Sequence, residues 1–127
     1  MAASVQERIR ELTAPMLRKK LFVVLTKATA GAEKIEACLP DHLAYMIGLE
    51  QRGLVFASGP LTEPGGAPRG DGLTVLRAGS AEEARKIAEA DPFFVNGLRT
   101  FEVREWTLME GSLGLKVNFS DQSIEVA

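Results

Sequence analysis

The run Leu21-Phe22-Val23-Val24-Leu25-Thr26 is apolar on both parities and rich in β-branched and aromatic side chains. Successive side chains of a strand point to opposite faces, so a strand of this composition has to be covered on both sides. The run therefore predicts the central strand of a sheet with something packed on each face. Leu21 to Leu25 is the longest strongly apolar stretch in the chain. A membrane-spanning helix needs about 20 such residues, so no bilayer partner is expected.

The following segments supply one cover. His42, Tyr45, Met46 and Leu49 recur at i, i+3, i+4 and i+7 between Asp41 and Gln51, the stripe of a helix that Gly53 terminates. Residues 28 to 38 read as a loop or a helical lead-in. Leu54 to Ala57 predicts a second strand, closing at Ser58-Gly59-Pro60. Leu61 to Gly72 holds Pro64, Gly65, Gly66, Pro68, Gly70 and Gly72, a density of breakers that marks a long hairpin connection. Leu73 to Leu76 is then a third strand. Ser80-Ala81-Glu82-Glu83 is a capping box that opens a second helix, with Ser80 as N-cap and Glu83 returning to its amide. Ala84, Ile87, Ala88 and Asp91 share one stripe of that helix, and Pro92 interrupts it. Phe93 to Leu98 forms a last turn stopped by Gly97, Thr100 to Met109 a fourth strand, and Leu113 to Phe119 has strand composition beyond Gly111.

At the N-terminus, Glu7 and Glu11 alternate with Arg8 and Arg10, so Ser4 to Leu12 predicts a short amphipathic helix. It lacks the uninterrupted apolar core of a secretory leader. The expected organisation is an N-terminal extension at 1–20, a domain at 21–109, and a C-terminal extension at 110–127 whose extra strand serves oligomerisation.

Composition excludes several function classes. With 127 residues, 46% hydrophobic and 25% charged, the chain suits one domain with a substantial core. A net charge of −2 and a single basic run, Arg18-Lys19-Lys20, give no nucleic-acid footprint. The single Cys38 excludes an internal disulfide framework and a multi-cysteine metal site, and fits a reducing cytoplasm. One histidine, one cysteine and scattered acids lack zinc spacing, so no metal is expected. Gly65, Gly66, Gly70 and Gly72 lack the Walker lysine, and no Gly-x-Ser-x-Gly elbow occurs. No organic cofactor and no serine nucleophile are expected.

Strand, helix, strand, strand, helix, strand is the order of an α+β, ferredoxin-like (βαββαβ) fold. It builds an antiparallel sheet with both helices on one face. That topology carries three things to one end: the start of the first helix with His42, the end of the second with Asp91, and the Ser58-Gly59-Pro60 corner. Imidazole gives and takes protons near neutrality, and a carboxylate that orients it completes an acid/base pair. His42 and Asp91 are therefore the candidate catalytic residues, and Tyr45, Ser58, Gly59, Pro60 and Phe93 the candidate substrate contacts. Plainer roles stand beside these: a helix-start histidine bonded to backbone, an aspartate capping a turn, a core tyrosine, a strand-end turn and an apolar wall. The sheet face away from the helices predicts a second copy packed sheet on sheet.

Asp-His-Leu-Ala-Tyr at 41–45, Ala-Ser-Gly-Pro-Leu at 57–61, and Ala-Asp-Pro-Phe at 90–93 followed by Gly97-Leu98 together resemble the YCII-related family. That family belongs to the dimeric α+β barrel superfamily, with the muconolactone isomerases and ferredoxin-like monooxygenases. The resemblance spans about residues 21 to 109, in ordered motifs. It implies a ferredoxin-like subunit, a homodimer or higher homo-oligomer, and acid/base chemistry by His42 and Asp91. The family includes a dehydrochlorinase acting on a hydroxylated aromatic. The expected function is a cofactor-independent lyase or isomerase that moves a proton on a small, oxygenated, ring-derived molecule. The alternatives are a non-catalytic ligand-binding or assembly module and a cofactor-free monooxygenase.

Overall fold

The computed structural model describes residues 4–127, so the first three residues of the expected 1–20 extension lie outside the described part. Contacts divide the chain into two compact units, one of residues 20–107 and one of the terminal segments.

The larger unit holds β1 (Lys19–Ala28), α2 (Ala32–Gln51), β2 (Val55–Pro60), β3 (Gly72–Leu76), α3 (Ala81–Glu89), α4 (Pro92–Val95) and β4 (Arg99–Leu108), following α1 (Val5–Thr13) in the chain. Its four strands lie in the order β2-β3-β1-β4, with β1 and β2 both antiparallel to β3. This is the expected α+β, ferredoxin-like arrangement. The apolar first strand sits in the interior of the sheet, and its two parities part company as strand geometry requires. Phe22 and Val24 are buried and join Leu76 and Ala84 in the core, flanked by Val55, Ile87, Phe101 and Val103. Val23 lies opposite the buried Val75 on the other parity, where Leu25 and Leu73 are half-buried. In β4, Arg99, Phe101 and Val103 are partly buried while Thr100, Glu102 and Arg104 between them are exposed.

The first helix departs from expectation. It starts at Ala32 and runs for 20 residues straight through Pro40. An interior proline loses a backbone hydrogen bond at a cost of about 3 kcal/mol or more, yet the helical alternative for residues 28–38 holds from Ala32 onward. Tertiary packing overrides that local signal: Ile35 is buried, and its side chain closes on Gly70, where an added Cβ would come within 3.0 Å of Ile35 Cδ1. His42 consequently lies near the middle of α2, away from its start. The α3 cap also differs in detail. Ser80 Oγ accepts from Glu83 N at 3.1 Å, but Glu83 Oε2 accepts from Gly79 N at 2.9 Å rather than from Ser80. Ser58-Gly59-Pro60 continues the second strand instead of turning at its end, opposite Thr74, Leu73 and Gly72.

In the terminal unit, α1 carries a full capping box, Ser4 and Glu7 exchanging bonds of 3.1 Å, and exposes Val5, Ile9 and Leu12. The C-terminal strand is shorter than expected, β5 (Leu115–Val117), and has an antiparallel partner, β6 (Ile124–Val126). At three residues β6 is too short to show a periodicity. Among the described residues, no helix is long and apolar enough to cross a membrane.

Candidate functional site

The Ala90-Asp91-Pro92-Phe93 sequence stops α3 and immediately restarts the chain as α4. Asp91 is the N-cap of α4, and its Oδ1 accepts from Phe93 N at 2.9 Å. Proline at the first helical position costs nothing there, because its missing N–H would have no partner in the helix. The cap fixes the carboxylate, whose side chain is only 12% exposed. From α2, His42 Nδ1 approaches both oxygens, at 2.9 Å from Oδ1 and 2.8 Å from Oδ2. Capping and pairing are thus not rival roles; one carboxylate does both.

An ionised carboxylate only accepts hydrogen bonds, so its contact puts a proton on Nδ1 and leaves the neutral ring's lone pair on Nε2. Nε2 makes no hydrogen bond among the described residues. No fully closed-off side-chain nitrogen lacks a partner among them, so Nε2 is reached from outside. The ring is steadied by Phe93, 4.4 Å away between centroids and tilted 30°. Phe93 is itself 1% exposed and belongs to the core, so it backs the histidine instead of touching a ligand.

Asp91 also faces a second charged group, one the sequence reading did not single out. Arg99, at the start of β4, brings Nη1 to 3.5 Å from Asp91 Oδ2, donates Nε–H to Gly70 O at 2.8 Å, and lies 4.6 Å above the Phe93 ring. Its side chain is 9% exposed. Burial pushes its pKa down, and the negative charges of Asp91 and Asp71 pull it back up; a guanidinium in that balance stays charged. Gly72 makes room for it: a Cβ there would stand 2.8 Å from Arg99 Nη2. The glycine-rich connection therefore does more than turn the chain. The signal available in the sequence was an arginine directly after Gly97-Leu98, at the entrance of an alternating strand.

Asp91 and Arg99 are the two charged residues lining a narrow cleft of about 30 Å³ between the helices and the sheet. Its other walls include Val24, Met46, Leu76, Phe94 and Phe101, with Thr26, Thr74 and Tyr45 as neutral polar groups. His42 is not among the lining residues; it meets the cleft through Asp91. Tyr45 lines the cleft but donates its hydroxyl to Ile87 O at 2.7 Å, tying α2 to α3. Burial, then the Asp91 charge, raise its pKa, against a smaller opposing effect of Arg52. Ser58 is exposed on the edge strand and touches the site at one remove, its Oγ 2.7 Å from Thr74 Oγ1. Gly59 and Pro60 are exposed and line no part of the cleft. The structure thus unites His42, Asp91 and Tyr45 around one region and leaves the Gly-Pro pair outside it. Among the described residues, no cluster of three or more metal-ligating side chains occurs.

A family model of the YCII-related domain matches residues 20–107. The chain belongs to the YCII-related family. A solved member of the same fold, 5-chloro-2-hydroxyhydroquinone dehydrochlorinase (TftG) from Burkholderia phenoliruptrix AC1100 in complex with 2,5-dihydroxybenzoquinone, is 23% identical with a TM-score of 0.55. The match covers 68% of this chain and 92% of that one. No curated protein sequence matches this YCII-related chain.

Proposed function

We propose that this YCII-related protein is a lyase or isomerase that works without an organic cofactor, moving a proton on a small, oxygenated, ring-derived substrate. The observation that carries the reading is the His42–Asp91 contact, 2.8 and 2.9 Å from one ring nitrogen to both carboxylate oxygens, beside a partly apolar cleft. Asp91 holds the ring and its tautomer; His42 Nε2 takes the proton and returns it. Such general acid/base assistance contributes about 10²- to 10⁴-fold. The likeness to a dehydrochlorinase complexed with a dihydroxybenzoquinone supports a ring-derived substrate and elimination chemistry.

A panel of chlorinated and unchlorinated hydroxyhydroquinones, catechols and lactones, followed by product chromatography, halide release and oxygen uptake, tests this. Turnover that disappears in His42→Ala supports the proposal. Binding without turnover would make the protein a ligand-binding module, and oxygen consumption a monooxygenase.

We further propose that the protein is a homodimer or higher homo-oligomer, pairing through the sheet face that holds Val23 and Leu25. The 110–127 extension contributes to assembly: Leu115 and Val126, and Val117 and Ile124, form one exposed apolar side of a hairpin whose other side pairs Lys116 with Glu125. An isolated two-stranded hairpin is marginal in water, so a partner surface supports it. Sedimentation of the full chain against a 1–109 truncation checks this, and a monomer at micromolar concentration counts against it.

A further inference from the structure

Arg99 presents a contradiction between cost and use. A guanidinium carries five N–H donors in a rigid fork, and burying it is expensive unless those donors are occupied. Among the described residues it makes one hydrogen bond, from Nε to Gly70 O, and one ion contact of 3.5 Å from Nη1 to Asp91. Bidentate pairing with Asp91, the arrangement that best suits the two groups, is not made. The carboxylate is already occupied by His42 Nδ1 and Phe93 N. Nη2 has no hydrogen-bond partner among the described residues. Since no fully closed-off side-chain nitrogen is left without one, Nη2 keeps access to solvent, and Arg99 is one of the residues that line the cleft.

The surroundings hold the group in that pose. Phe93 lies under its face at 4.6 Å, the Nε bond fixes one edge, and the missing Cβ of Gly72 admits the other. A charged fork clamped on two sides, with donors still unoccupied and its residue lining a partly apolar cleft, is a preorganised site for an anionic oxygen. No other cation lines this cleft.

We propose that Arg99 is the anion-recognising, specificity-determining residue of the cleft, binding a carboxylate or phenolate oxygen of the substrate through its Nη edge. The assignment deepens the acid/base reading above and rests on the cleft being the substrate site. When the His42–Asp91 unit removes a proton from carbon, the electron pair left behind moves onto the conjugated oxygen. Arg99 holds that oxygen as its charge develops, while the imidazolium formed balances Asp91.

Benzoate and its neutral isostere benzamide are suitable probes, used with the full-length protein in calorimetry and in NMR of the arginine side-chain N–H groups. Benzoate should bind about 10-fold or more tightly than benzamide, the size expected for hydrogen bonds to a charged group. In the unmodified protein the Arg99 Nε–H resonance should move with benzoate and stay still with benzamide. Arg99→Gln should abolish the preference, and Arg99→Lys, which keeps the charge and loses the fork, should retain part of it. Equal affinities, no binding of either at millimolar concentration, an unmoved Arg99 resonance, or a preference that survives Arg99→Gln would each overturn the proposal. The resonance test needs no variant to fold. Anion preference in a protein that turns over nothing in the substrate panel sinks the acid/base reading and leaves Arg99 standing. Turnover of neutral substrates that Arg99→Gln leaves unchanged does the reverse.

Discussion

The layer between helices and sheet has two ends built on different physics. At one end Phe22 and Ala84 are buried with Val55 and Val103, with no polar group among them, and Val24, Leu76 and Ile87 carry this cluster on into the wall of the cleft. At the other, Asp91, His42 and Arg99 come from the α3–α4 junction, the middle of α2 and the start of β4, and the glycine-rich connection adds Gly70 O. The apolar end is held by burial, which is non-directional and depends mainly on volume. The polar end is held by bonds of fixed length and direction, so four separate chain segments must each be correctly placed. Stability resides chiefly in the first, and the proposed chemistry draws on the second.

The most damaging way to break that division is Phe22→Ala. Phe22 is 3% exposed and does not line the cleft. The substitution should cost about 3–5 kcal/mol in denaturant unfolding. Turnover per folded molecule should fall far less than stability, because Phe22 reaches the cleft only through its core neighbours Val24, Leu76 and Phe101. A parallel loss of turnover in the folded protein would show that the two ends are coupled.

The polar end is sharpened by a double-mutant cycle. His42→Ala and Asp91→Asn should each slow the chemical step by roughly 10²-fold or more. The double variant should lose little beyond that, because residues that act as one unit are not additive. Multiplicative losses would mean that the two act separately, and full activity in His42→Ala with an intact circular dichroism spectrum would leave His42 a structural residue.

Tyr45 stands where the two ends meet and gives the smallest effect. Tyr45→Phe removes the bond to Ile87 O and should cost about 0.5–1.5 kcal/mol. It is the only tyrosine, so tyrosinate absorbance reports it alone. Its folded pKa is raised above the unfolded value of 10.0, chiefly by burial. The stabilisation from the neutral phenol is therefore complete below pH 10 and is lost as pH rises through the folded value. Absorbance should rise at higher pH in the folded protein than in urea. Coincident titrations would show that the hydroxyl does not sense the fold.

The sequence by itself determined the layout, because that rests on local chemistry. Two-sided apolarity made Leu21 to Leu25 an interior strand, Ser80 set the start of α3, and Pro92 set its end, each through interactions within a few residues. Topology brought the first helix beside the end of the second, since strand, helix, strand, strand, helix, strand admits few compact right-handed solutions, but His42 meets Asp91 from the middle of α2 and not from its start. Other features were decided only by the tertiary structure. The apolar stripe marked a helix only from Asp41, and the packing of Ile35 against Gly70 accompanies its extension back through Pro40 to Ala32, which leaves His42 in mid-helix. Arg99 fell just before the expected fourth strand and drew no attention until Gly70 O, distant in sequence, and Phe93 and Asp91 across the α4 turn closed around it. The physical reason is range: caps and alternation act over a few residues, whereas burying a charge depends on groups that only the folded chain brings within 3 to 5 Å.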